Sequence, residues 1–263
     1  MKSSGARTRF SVLLVAGIGL CAPSGAHALV ITDSTLTISN ILITSASGTV
    51  QFDPWTAEAS ATANNSLGQS DGQFDSTAIN LGSTAQASAT VTWATAQGTA
   101  DASNLTAKGS SAVNLPGILN QADSTGRGSL FTSFTVTGGT PGNSVDVTFS
   151  MDLSGSQHGF ADALGSFTNE LTASLELDGS PLLFFDTILS GGPGFPDTTK
   201  GISQNLNAKQ TLTFGTPYFV FIQADSESNG QNVVPAPGTL SLVLACLGAL
   251  AGLGMRRRVA NVS

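Results

Sequence analysis

Apolar and polar residues alternate with period two over long stretches of this 263-residue chain. Val145, Val147, Phe149, Met151 and Leu153 are apolar, with Asp146, Thr148, Ser150 and Asp152 between them. Leu171, Ala173, Leu175 and Leu177 repeat the pattern against Thr172, Ser174, Glu176 and Asp178. Successive side chains of a strand point to opposite faces, whereas an amphipathic helix repeats every 3.6 residues, so both segments predict half-buried strands. Residues 130–136, 181–189 and 218–224 predict further strands. Gly138-Gly139, Asp178-Gly179 and Gly191-Gly192-Pro193-Gly194 separate them as turns. The fold expected is all-β, an antiparallel, jelly-roll-like β-sandwich.

The earlier part of the chain is softer. Residues 84–97 place Ala85, Ala87, Ala89, Val91 and Trp93 on one face and Gln86, Ser88, Thr90 and Thr92 on the other. Residues 56–63 are similar. Alternating Ala buries little area, so Trp55 and Trp93 are expected to supply much of the local packing. A short helix is expected near 160–167. One ectodomain over 29–230 is the expected organisation, with a division at Gly126-Arg127-Gly128 as the alternative.

The two ends have a different character. Lys2, Arg7 and Arg9 precede a mostly apolar run over 10–21, then Pro23-Ser24-Gly25 and Ala26-His27-Ala28. Charged, apolar and small-x-small segments in that order are a secretory signal peptide, 1–28. Signal peptidase is expected to cut between Ala28 and Leu29, reading the small side chains of Ala26 and Ala28. Near the other end, residues 238–255 carry no charge. As a helix they would extend about 27 Å, close to the hydrocarbon thickness of a bilayer. Arg256, Arg257 and Arg258 follow as a stop-transfer cluster, which leaves 259–263 as a short cytoplasmic tail and the preceding domain outside. Just before the span, Val234-Pro235-Ala236-Pro237 holds the backbone extended, with no amide donor at either proline.

This tail, 231–258, resembles the PEP-CTERM sorting signal, in which a Val-Pro-Glu-Pro-like motif precedes a Gly- and Leu-rich span and an Arg cluster. Ala236 stands where that motif has Glu. The resemblance covers roughly the last 30 residues. It implies a Gram-negative bacterium, processing by an exosortase-type membrane enzyme, and a link to exopolysaccharide or biofilm matrix at the cell surface.

Charge and cysteine content follow this division. The whole chain carries a net −7, but six of its ten basic residues lie in the two ends. Between 29 and 234 only Lys108, Arg127, Lys200 and Lys209 oppose all seventeen acidic residues, a net −13. A nucleic-acid partner is excluded, because phosphate backbones require clustered Lys and Arg. Cys21 and Cys246, the two cysteines, also fall in the ends, so the exported part cannot form a disulfide.

Candidate chemistry is sparse. His158, within Gly155-Ser156-Gln157-His158-Gly159, is the one histidine beyond the signal peptide. With no second His and no nucleophile elbow, it is expected to be an exposed loop residue. Glu58, Glu170, Glu176 and Glu227 are the acids from which a glycosidase pair would be drawn. Asp71-Gly72-Gln73-Phe74-Asp75 and Asp225-Ser226-Glu227 are acidic segments that could bind calcium as loops, without an EF-hand pattern. No catalytic residue, metal ligand or cofactor is assigned. Two functional classes remain: a non-enzymatic surface or matrix protein that meets polysaccharide, and a secreted carbohydrate-active enzyme. Exposed aromatics on a sheet face would favour the first, and two close carboxylates in a cleft the second.

Overall fold

The computed structural model describes residues 29–77, 84–117 and 120–232. Ala26 and Ala28 of the expected signal peptide, the motif Val234–Pro237, the span 238–255 and Arg256–Arg258 lie outside these residues. Among the described residues no helix is long and apolar enough to cross a membrane.

The described chain is all-β and antiparallel. Its strands are β1 (Leu29–Ser45), β2 (Thr49–Phe52), β3 (Thr56–Asn65), β4 (Ser70–Thr77), β5 (Thr84–Val91), β6 (Ala94–Asp101), β7 (Thr106–Pro116), β8 (Gln121–Thr137), β9 (Ser144–Ala161), β10 (Gly165–Leu177), β11 (Ser180–Gly191), β12 (Thr198–Thr213) and β13 (Pro217–Asn232). One sheet runs β12-β9-β1-β7-β6-β5 and the other β11-β10-β13-β8-β3-β4, with β2 beside the end of β8. The two pack face to face as a sandwich.

Period-two patterning carries through to burial. Val145, Val147, Phe149, Met151 and Leu153 point inward from β9, as do Leu171, Ala173 and Leu175 from β10. Phe134 and Phe149 meet edge to face, 6.1 Å between ring centroids. Burying each large side chain of this kind contributes about 1.5–3 kcal/mol. Asp178-Gly179 makes the β10–β11 hairpin with φ of 49° and 76°, the pair of positive φ values a two-residue type I′ turn requires.

Two expectations are corrected. Residues 160–167 are not a helix: Phe160 and Ala161 finish β9 in register with Ile31 and Val30, and β10 starts at Gly165. Between them Asp162 closes a tight turn, its carbonyl accepting the Gly165 N–H at 3.2 Å. Residues 84–97 are two strands, because the chain reverses at Thr92-Trp93, with Trp93 at φ 77°. Gly126-Arg127-Gly128, the alternative point of division, lies inside β8, paired to β3 on one side and β13 on the other.

Those glycines explain the Ala-rich half of the sandwich. A Cβ on Gly126 would lie 2.1 Å from the Gln97 carbonyl oxygen, and one on Gly128 2.0 Å from that of Thr99. Backbone therefore touches backbone across the interface, well inside the ordinary spacing of about 10 Å between packed sheets. Ala57, Ala59, Ala61, Ala63, Ala85, Ala87 and Ala96 line the rest of this thin core. Between it and the Phe- and Leu-rich half runs a layer of buried hydroxyls. Ser34 Oγ and Ser226 Oγ are 2.7 Å apart, and Ser111 Oγ lies 2.9 Å from Ser228 Oγ. Ser228 donates to Asn169 Oδ1 at 2.7 Å. Each hydroxyl is both donor and acceptor, which is how a polar layer survives in a core.

Candidate functional site

The outer faces of the two sheets carry the chemistry. On the first sheet, β1 and β9 place Asp33 opposite His158, and Thr199 of β12 follows in the same row. His158 Nδ1 lies 2.6 Å from Asp33 Oδ2 and Nε2 lies 2.8 Å from Asp197 Oδ1. Partial burial opposes the imidazolium, but the hydrogen bonds and charges of Asp33 and Asp197 outweigh it, and the His158 pKa is raised. His158 is thus a strand residue, not a loop residue. Its segment stays in the sheet because β1 and β12 pair with both of its edges, while Gln157 turns inward and donates to the carbonyls of Asn169 and Thr187, each at 3.0 Å. The ring bridges β1, β9 and the approach to β12, and does so as an ion pair when protonated. Beside it lies a trough of about 440 Å³ lined by Asp33, Thr35, Ser88, Thr95, Gln97 and Ser110.

On the second sheet, β10 and β13 bring Glu170 directly opposite Glu227. Such a pair has Cβ atoms about 4.5–5.5 Å apart. Burial, then the charges of Asp186 and Glu227, raise the Glu170 pKa. Glu58 stands opposite Ser129, and Glu176 opposite Phe221, so neither joins them. Further along the same strands and onto β11, a groove of about 670 Å³ is lined by Thr172, Ser174, Glu176, Leu182, Phe184 and Gln223. Phe184 is 63% exposed and Phe219 45%. Phe131 stacks obliquely on Phe219, with centroids 6.0 Å apart. An apolar ring beside a carboxylate and hydroxyls suits a ligand with both C–H faces and hydroxyls.

Neither acidic segment is a loop. Asp71, Gln73 and Asp75 of β4 reach across to β5, where they accept hydrogen bonds from its backbone. Thr90 N–H reaches Asp71 Oδ2 at 2.8 Å, Ser88 N–H reaches Gln73 Oε1 at 3.3 Å, and Gln86 N–H reaches Asp75 Oδ2 at 2.9 Å. Gln69 Oε1 adds a fourth rung, accepting from Thr92 N–H at 3.2 Å. These side chains cap the outer edge of β5. In β13, Asp225 accepts from Arg127 Nε at 2.6 Å, Ser226 joins the buried hydroxyls, and Glu227 accepts from Asn229 Nδ2 at 2.7 Å. Among the described residues no group of three or more His, Cys, Asp or Glu is placed to hold a metal ion.

Sequence reasoning missed the partners of His158, since Asp33 and Asp197 lie 125 and 39 residues away and no local pattern ties them to it. It also missed the exposure of Phe184, which lies in the unbroken apolar run Leu182-Leu183-Phe184-Phe185. Comparison with protein-family models, curated proteins and solved structures finds no match to this chain.

Proposed function

We propose that this chain is an exported, non-enzymatic protein of the cell surface or extracellular matrix of a Gram-negative bacterium. In this reading the signal peptide directs export, and the PEP-CTERM-like tail holds the protein at the inner membrane through its helix. An exosortase-type enzyme then processes it, and it associates with exopolysaccharide or biofilm. The observation that carries the reading is the sequence of the tail: Val234–Pro237, an uncharged span over 238–255, then Arg256–Arg258. The repeated passage of the chain from one sheet to the other supports a jelly-roll-like form of the sandwich. The groove beside Phe184, with Glu176 and the hydroxyls of Thr172 and Ser174, supports binding of a sugar polymer there.

Deleting 235–258 tests the sorting step. The domain is then expected in the soluble exported fraction, and unchanged retention at the cell surface would contradict the reading.

The facing pair Glu170 and Glu227 favours a second reading, a glycoside hydrolase with Glu170 as the general acid. Hydrolysis of the host's own exopolysaccharide by the exported protein, lost in both Glu170→Gln and Glu227→Gln, would establish it. No release of reducing ends above a boiled control would exclude it.

A further inference from the structure

We propose that Asp162 is the binding site for the α-ammonium group created when the chain is cut between Ala28 and Leu29. The proposal rests on the reading that export removes residues 1–28. Leu29 N lies 2.6 Å from Asp162 Oδ2. The contact is returned by the backbone, as Asp162 N–H donates to the Leu29 carbonyl at 3.1 Å. Everything else about Asp162 holds it still: Oδ1 accepts the Leu164 N–H at 3.1 Å, and its carbonyl accepts the N–H groups of Gly194 at 2.7 Å and Gly165 at 3.2 Å. Leu29 is fixed too, in register with Pro116, while the next residue, Val30, pairs with Ala161.

In an uncut chain the group at this place is a neutral amide N–H. Cleavage breaks the Ala28–Leu29 amide by adding water, leaves a carboxylate on Ala28 and turns the Leu29 nitrogen into an amine that takes up a proton. The neutral hydrogen bond becomes a charge-assisted one, and such bonds are roughly twice as strong. A carboxylate already positioned before the cut needs no reorganisation to accept the new charge. A cut one residue earlier or later would put the ammonium out of reach, so the site favours one mature end and pins the start of β1.

The test uses the protein exported from its host from the full-length gene. Mass spectrometry identifies the first residue, and acetylation by an amine-reactive ester at neutral pH follows the Leu29 amine. An amine bound to a carboxylate keeps its proton, so acetylation should be about tenfold slower in the native protein than in urea, one pH unit in the amine's titration. Asp162→Asn should restore most of the urea rate. If that variant does not accumulate, 1 M salt should speed acetylation of the wild-type protein, as screening of an ion pair requires and a steric shield does not. A Leu29 amine that reacts equally fast native and unfolded overturns the proposal and leaves the cut intact. So does protection unchanged by Asp162→Asn or, failing that variant, by salt. A first residue other than Leu29 overturns the cleavage reading itself, and the proposal with it.

Discussion

His158 stands between two carboxylates, and its protonated form pairs with both. Because its pKa is raised in the folded protein, this clamp is fully formed below the unfolded value of about 6.5 and lost as pH rises through the folded value. His158→Gln should therefore lower the melting temperature more at pH 6 than at pH 9. With the ring partly in water the loss is about 1 kcal/mol or less, and an equal loss at both pH values would contradict the charged clamp. Glu170 behaves in the opposite sense to a stabilising carboxylate. Its pKa is raised by burial and by Asp186 and Glu227, so ionisation at neutral pH works against the fold. Glu170→Gln should leave the melting temperature at pH 7 unchanged or higher, and a marked fall would show that the ionised carboxylate contributes to stability. The residue scale was the least legible in the sequence. Glu170 and Glu227 were visible as acids, but their meeting depends on the β10–β13 register, and so does the pairing of Arg127 with Asp225.

Among the elements, the Ala-rich half of the sandwich is set by glycines that admit no side chain. Gly126→Ala or Gly128→Ala would drive a methyl group into a carbonyl of the facing sheet. Each is expected to cost about 3 kcal/mol, read as a shift in the urea midpoint at constant m-value, and a neutral substitution would refute backbone contact between the sheets. The β4 side chains protect an edge rather than a core. Asp71→Ala with Asp75→Ala removes two of the acceptors for β5 N–H groups. An uncovered edge is a template for pairing with another chain, so light scattering should detect self-association that the parent protein lacks. Strand existence was legible from alternation, but its interruptions were not. The inward residues change from odd positions at Ala85, Ala87 and Ala89 to even ones at Ala94, Ala96 and Ala100. That change of parity is the sequence trace of the Thr92-Trp93 turn, which lacks the Gly, Asn or Asp that usually marks one. In β1 a similar change, from Leu36 and Ile38 to Ile41 and Ile43, records the irregularity between Ser39 and Leu42, where Asn40 takes φ 50°.

At the scale of the molecule, the described β-sandwich is acidic and free of cysteine. Residues 29–234 contain no thiol, so reductant should leave their melting temperature unchanged, and their far-ultraviolet spectrum should be that of β-sheet. The all-β class was legible because alternation persists over most of the chain. The thinness of one half was not, since it depends on which glycines face each other across the sheets. The central claim is that this domain reaches the surface with both ends removed. Intact-mass spectrometry of the protein recovered from cell-surface and culture fractions tests it most directly. The account predicts a chain that begins at Leu29 and ends near the Val234–Pro237 motif, and a mature protein that always extends through Arg256–Arg258 to Ser263 would contradict it.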